Sequence, residues 1–183
     1  MKELLFFISL IFFVSLGCQN DEIFSEFEGE AILKVDEIKM VPLKGEIIEI
    51  VDLDAGFMDC FGTPYPSRYL DISGHLTHLG NVAGGYAELF NCRMEIRNDV
   101  QSLVSDVSGE FKAANGDVLM YEGELWFSLE DMSQGGSAFT ITGGSGRWEN
   151  ATGQFIAFFE PREDGTLLYI VNGEVSSPGK NKG

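Results

Sequence analysis

The sequence predicts an all-β domain in which eight antiparallel strands close into a barrel. Three observations lead there. Short runs rich in aromatic and β-branched residues succeed one another with turn signals between them, which is the mark of strands. Segments with helical spacing are few, whereas glycines number 22. The clearest runs alternate apolar and polar residues with a period of two, placing every second side chain on one face. Eight consecutive strands suffice to close a barrel that its own side chains fill, or that leaves room for one small ligand. A two-sheet sandwich is the alternative.

Residues 45–53 (Gly-Glu-Ile-Ile-Glu-Ile-Val-Asp-Leu) form the first expected strand. Residues 54–67, with Cys60, Pro64 and Pro66, read as a long loop. Within 69–79, Leu70, Ile72, Gly74, Leu76 and His78 share one face, expected inside, and Asp71, Ser73, His75 and Thr77 share the other. Strands at 82–94 and 104–113 follow. Asn115-Gly116 predicts a type I′ hairpin turn, in which both central residues take positive φ. In 117–127, Leu119, Tyr121, Gly123, Leu125 and Phe127 are expected inside. Val118, Met120 and Trp126 share the other face with Glu122 and Glu124, and are expected outside. Strands at 137–143, 151–160 and 166–175 complete the eight, and residues 31–40 are expected to add an edge or a plug. Glycines within strands (Gly74, Gly123, Gly173) suit the tight coiling of a small barrel.

Ahead of this domain, residues 4–16 carry no charge and are apolar except for Ser9 and Ser15. As helix the run rises roughly 20 Å, short of a hydrocarbon core of about 30 Å, and has the length of a signal-peptide core. It ends in Ser15-Leu16-Gly17-Cys18, which resembles a lipobox, where a small residue precedes a cysteine that is acylated and becomes the new N-terminus. The usual pattern has Leu two residues before the small one; here Ser15 holds that place. The resemblance implies a signal peptide over 1–17 and lipid (palmitate) on Cys18, which leaves an acidic tether over 18–29 ahead of the barrel domain, 30–183. Asp21, Glu22, Glu26, Glu28 and Glu30 resemble the acidic export signal with which one group of Gram-negative bacteria sends lipoproteins to the outer face of the outer membrane. The expected location is therefore the outer membrane, lipid-anchored, on its periplasmic or cell-surface face.

A net charge of −17 over 183 residues repels nucleic acid and anionic head groups, so the only expected membrane partner is the one the lipid enters. Of three cysteines, Cys60 and Cys92 remain once Cys18 carries lipid. In an oxidising compartment such a pair is expected as a disulfide, worth roughly 3–4 kcal/mol on the chain-entropy model.

The most distinctive stretch is Ile141-Thr142-Gly143-Gly144-Ser145-Gly146-Arg147-Trp148-Glu149-Asn150-Ala151-Thr152-Gly153. It resembles the Gly-Gly-Thr-Gly-x-Phe-x-x-Ala-x-Gly signature of the allene oxide cyclase and dirigent proteins, with Ser145 for Thr and Trp148 for Phe. Gly74-His75-Leu76-Thr77-His78-Leu79-Gly80 is similar to a segment frequent in bacterial relatives. The resemblance covers roughly residues 69–160. It implies a calycin-like barrel whose Gly-rich turn joins two strands, with the aromatic packed at the barrel end, and it leaves room for an oligomer. Plant members cyclise an allene oxide or orient radical coupling, but none of their catalytic residues finds a matching position here.

No motif supplies a nucleophile paired with a base. Gly143–Gly146 lacks the Lys-Ser/Thr and the following helix of a phosphate loop. His75 and His78, three apart on a strand, point to opposite faces and cannot share a metal. Asp52-x-Asp54 lacks the closing Glu of a calcium loop. No cofactor or metal is expected. The chain reads as a barrel that binds an apolar small molecule or a partner, with His78 and Tyr121 as the candidate polar groups of its pocket. The alternatives are an allene oxide cyclase-like isomerase acting on an apolar substrate, and a filled scaffold.

Overall fold

The computed structural model describes residues 38–97, 99–131 and 134–176. The expected signal peptide, Cys18 as the expected site of lipid and the expected tether lie outside these residues, as do residues 31–37 of the suggested edge or plug.

Among the described residues ten strands run in chain order: β1 (Met40–Val51), β2 (Phe57–Cys60), β3 (Thr63–Pro66), β4 (Arg68–Leu76), β5 (Gly80–Arg97), β6 (Val100–Ala113), β7 (Val118–Ser128), β8 (Gly135–Ser145), β9 (Gly153–Pro161) and β10 (Leu167–Ser176). Eight of them close an antiparallel barrel in the order β1-β10-β9-β8-β7-β6-β5-β4, while β2 and β3 form a separate two-stranded ribbon. Every barrel neighbour is a sequence neighbour except at the seam, where β1 pairs with both β10 and β4.

The inward faces follow the two-residue period. On β6 the buried set includes Leu103, Ser105, Val107, Phe111 and Ala113; on β7 it includes Leu119, Tyr121, Leu125 and Phe127, as the alternation predicted. Gly74 takes φ +143°, and a Cβ there would run into the Glu46 carbonyl oxygen of β1, so only glycine lets the two strands approach at this point of the coil.

Three expectations need correction. Leu70 is half-buried, and Tyr69 takes the interior instead. The reason is a bulge: Ile48 pairs with Ser73 and Ile50 with Leu70, so Asp71 and Ile72 together face Glu49. Asp71 has φ 51°, and the extra residue reverses the inward parity of what precedes it. The Asn115-Gly116 turn joins β6 to β7 as expected, but of the two only Gly116 has positive φ (91°). Gly116 N–H donates to Ala113 O, so the connection is a longer turn with a left-handed glycine rather than a two-residue type I′ loop. The supposed loop over 54–67 contains the β2–β3 ribbon. Its turn, Phe61 (φ 55°) and Gly62 (φ 82°), has the two positive φ values of type I′.

One end of the barrel is plugged. After β8 a single 3₁₀ turn, Gly146–Trp148, sets Trp148 completely buried against the ends of the strands. Arg147 Nη2 donates to the carbonyls of His78 (2.8 Å) and Leu79 (3.1 Å), and its Nε lies 3.2 Å from Asp117 Oδ2. At the opposite end, the ribbon between β1 and β4 folds over the opening.

Candidate functional site

β1 brings a carboxyl into the barrel. Leu43, Ile47 and Glu49 share the inward parity, and Glu49 is only 4 % exposed. It lines an interior cavity of about 20 Å³ together with Tyr69, Tyr121, Tyr169, Phe111 and Phe155. That volume holds about one water molecule. The waist of the barrel is otherwise filled by rings, with centroids 4.7 Å apart for Phe111 and Tyr121, 5.1 Å for Tyr121 and Phe139, and 4.9 Å for Phe139 and Phe155. Tyr121 stands opposite Gly109 across the β6–β7 pair, where a Cβ would come within 2.6 Å of its hydroxyl oxygen. Gly109 thus makes the space the phenol occupies.

Electrostatics follow from this burial. Desolvation pushes the Glu49 carboxyl up to about 8, so at neutral pH it is a protonated, uncharged hydrogen-bond donor. The Tyr121 and Tyr169 phenols are held well above their ordinary range, first by burial and then by the nearby Glu49 charge. Burial, then Glu49, raises Tyr69 as well. The interior therefore carries hydroxyl and carboxyl groups but no net charge at pH 7.

Above this chamber lies a second pocket of about 190 Å³, lined by Tyr65, Phe127, Phe159 and Leu167 and sharing Tyr69, Leu125 and Tyr169 with the interior. The β2–β3 ribbon forms one of its walls through Tyr65, whose ring centroid lies 5.0 Å from that of Phe127. Burial, then the neighbouring Tyr69, holds the Tyr65 phenol well above its ordinary range where the ribbon meets the chamber. Cys60, at the tip of the ribbon, is joined to Cys92 with Cα atoms 5.7 Å apart. Cys92 reaches it from a bulge in β5, where Asn91 (φ 51°) and Cys92 together face Ser105.

The sequence candidates divide. Tyr121 is inside, on the cavity wall. His78 is not: it is exposed, with φ 64°, in the turn between β4 and β5, because β4 ends at Leu76 and the period-two count no longer applies beyond it. It is withdrawn as a pocket group. His75 is also exposed, its Nδ1 3.1 Å from Asn81 Oδ1. Asp52 Oδ1 accepts the backbone N–H groups of Asp54 (3.1 Å) and Ala55 (3.3 Å), which makes it a turn cap. Among the described residues, no group of three His, Cys, Asp or Glu is placed to hold a metal, and no helix is long and apolar enough to cross a membrane.

Sequence reasoning missed Glu49, Tyr69 and Tyr169. A signal was present: Glu49 shares parity with Leu43, Gly45, Ile47 and Val51. The isoleucines of the other parity, Ile48 and Ile50, masked it by making both faces look apolar. No protein-family model matches this chain, and no curated protein shows significant similarity to it.

Proposed function

We propose that this chain is a lipid-anchored cell-envelope protein whose barrel binds a small, uncharged, largely apolar molecule at the ribbon-covered end. The observation that carries the reading is the pair of adjoining spaces: an aromatic pocket of about 190 Å³ whose floor, Tyr69 and Tyr169, is also the roof of the Glu49 chamber. An apolar cavity of about 150 Å³ takes a benzene-sized guest, so this pocket suits a single ring or a short chain. Ligand pockets combine mostly apolar walls with a few placed polar groups. Here the phenols and the neutral carboxyl are those groups, suited to a carbonyl, ether or hydroxyl oxygen and unsuited to a carboxylate.

Purified protein titrated by calorimetry with p-cresol, cyclohexanone and benzoate tests this. Binding of the two neutral compounds and not of benzoate is expected. Leu167→Trp, which fills the pocket, should abolish it. Absence of binding by all three, or equal binding of benzoate, would overturn the reading. The anchor rests separately on the apolar run ending at Gly17-Cys18. Intact-mass analysis of the membrane-extracted protein should show a chain beginning at an acylated Cys18, and an unmodified cysteine there would refute it.

One feature favours a second reading, an isomerase or cyclase in the manner of allene oxide cyclase. A buried carboxyl poised near neutrality is what general acid–base work on an apolar substrate requires. Turnover of a bound compound that Glu49→Gln abolishes, with binding retained, would decide for it.

A further inference from the structure

We infer that the β2–β3 ribbon is a hinged lid over the mouth pocket and that the Cys60–Cys92 disulfide is its latch, so that a dithiol reductant opens the barrel to its ligand. The identity of what passes the lid rests on the binding function proposed above; the lid and the latch do not.

The ribbon's strands pair only with each other, Phe57 with Pro66 through Cys60 with Thr63, and form a sheet apart from the barrel. Swinging it outward therefore breaks no rung of the barrel ladder. Its base is fixed: Asp52 N–H donates to Arg68 O, Leu89 N–H to Ser67 O, and Ser67 Oγ to Gly56 O at 3.0 Å. Its tip is held differently. Cys60 immediately precedes the Phe61-Gly62 turn, the point farthest along the chain from both ends of the ribbon, and it is there that the covalent tie to β5 is made. Besides Cys60 itself, buried with Leu103 and Phe127, only Met58 and Tyr65 of the ribbon pack onto the barrel's apolar surface. Its outward face carries exposed Phe57 and Phe61. A hinge at the base, a covalent tie at the tip and a pocket beneath are the parts of a latched lid.

The chemistry is two-electron thiol–disulfide exchange. One thiolate of the reductant attacks Sγ of Cys92, the less buried of the two sulfurs. The Cys60 thiolate leaves, and a mixed disulfide forms. The reductant's second thiol then attacks its own sulfur in that bond and releases Cys92. The reductant becomes a disulfide, and two protons end on Cys60 and Cys92.

Amide hydrogen exchange of the full protein, with and without dithiothreitol, tests the latch, alongside the rate at which p-cresol exchanges with its site by NMR. Reduction is expected to speed exchange at Phe57, Met58, Asp59, Cys60, Thr63 and Tyr65 at least tenfold beyond the rise at β6–β9, where the amides follow only the loss of global stability. Cys60→Ser/Cys92→Ser should show the same pattern without reductant. Unchanged ribbon amides would overturn the latch. A rise spread evenly over all strands would overturn it too, by showing the bridge to be a staple of the whole fold. p-Cresol exchange should accelerate at least tenfold in step with the ribbon amides. If the ribbon opens and p-cresol binds in neither state, the latch stands and the binding function fails.

Discussion

The two ends of the barrel are closed by different means. At one end the chain's own turn drives Trp148 into the opening and Arg147 ties it to the β4–β5 turn and to Asp117. At the other, a ribbon outside the ladder lies across the opening, held at its tip by a disulfide, with a pocket and a buried acid beneath. Closure by packing is permanent at any redox state or pH that keeps the fold. Closure by a detachable element over titratable groups is conditional. A barrel that served only as a filled scaffold would gain nothing from placing its interior carboxyl at the conditional end.

Glu49→Gln is expected to produce the largest change, and one visible only through pH. Below about pH 4.5 the carboxyl is protonated both folded and unfolded. Between there and about 8 the unfolded chain gives up its proton while the folded one keeps it, so stability falls as pH rises, by roughly 1.4 kcal/mol per unit. The loss is complete above the folded value and amounts to about 4–5 kcal/mol in all. Urea unfolding at pH 4.5 and pH 8.5 should show the variant without this decline. An identical slope in both proteins would place Glu49 in contact with water.

Trp148→Ala should cost about 3–5 kcal/mol at every pH and in either thiol state, because it leaves a cavity in a packed plug. A redox-dependent cost would couple the two ends and break the contrast. Replacing both Cys60 and Cys92 by Ser should cost somewhat less, about 2–4 kcal/mol on the chain-entropy model, in global denaturant unfolding. Smallest is Tyr169→Phe, expected to change stability by about 1 kcal/mol or less while weakening p-cresol several-fold. Equal binding by both would remove the Tyr169 hydroxyl from the site.

Most of the barrel was legible in the chain because a half-buried strand obeys parity. Leu119, Tyr121, Leu125 and Phe127 were read correctly since nothing interrupts β7 itself. Parity fails where a residue is inserted or the strand stops. Asp71 displaced Leu70 in favour of Tyr69, and the end of β4 at Leu76 turned His78 out into solvent. The ribbon was hidden by Pro64 and Pro66, which argue against a strand inside a sheet. A two-stranded ribbon has outer edges where a missing N–H goes unnoticed. The acid was hidden by convention: a glutamate between isoleucines is read as the wet face, and only the positions of Leu43 and Ile47, six and two residues earlier, say otherwise.

The seam between β1 and β10 also bears on how the protein comes to be folded. Seven of the eight barrel pairings need no more than the hairpin or ribbon connection between successive strands, but Met40 must find Ser176 and Glu49 must find Leu167. Contacts so distant along the chain are entropically costly to form and slow to nucleate. A growing polypeptide therefore carries two unpaired sheet edges until its last strand is made. Such edges are templates for pairing between molecules, and the interval before the seam closes is when this protein is most exposed to aggregation.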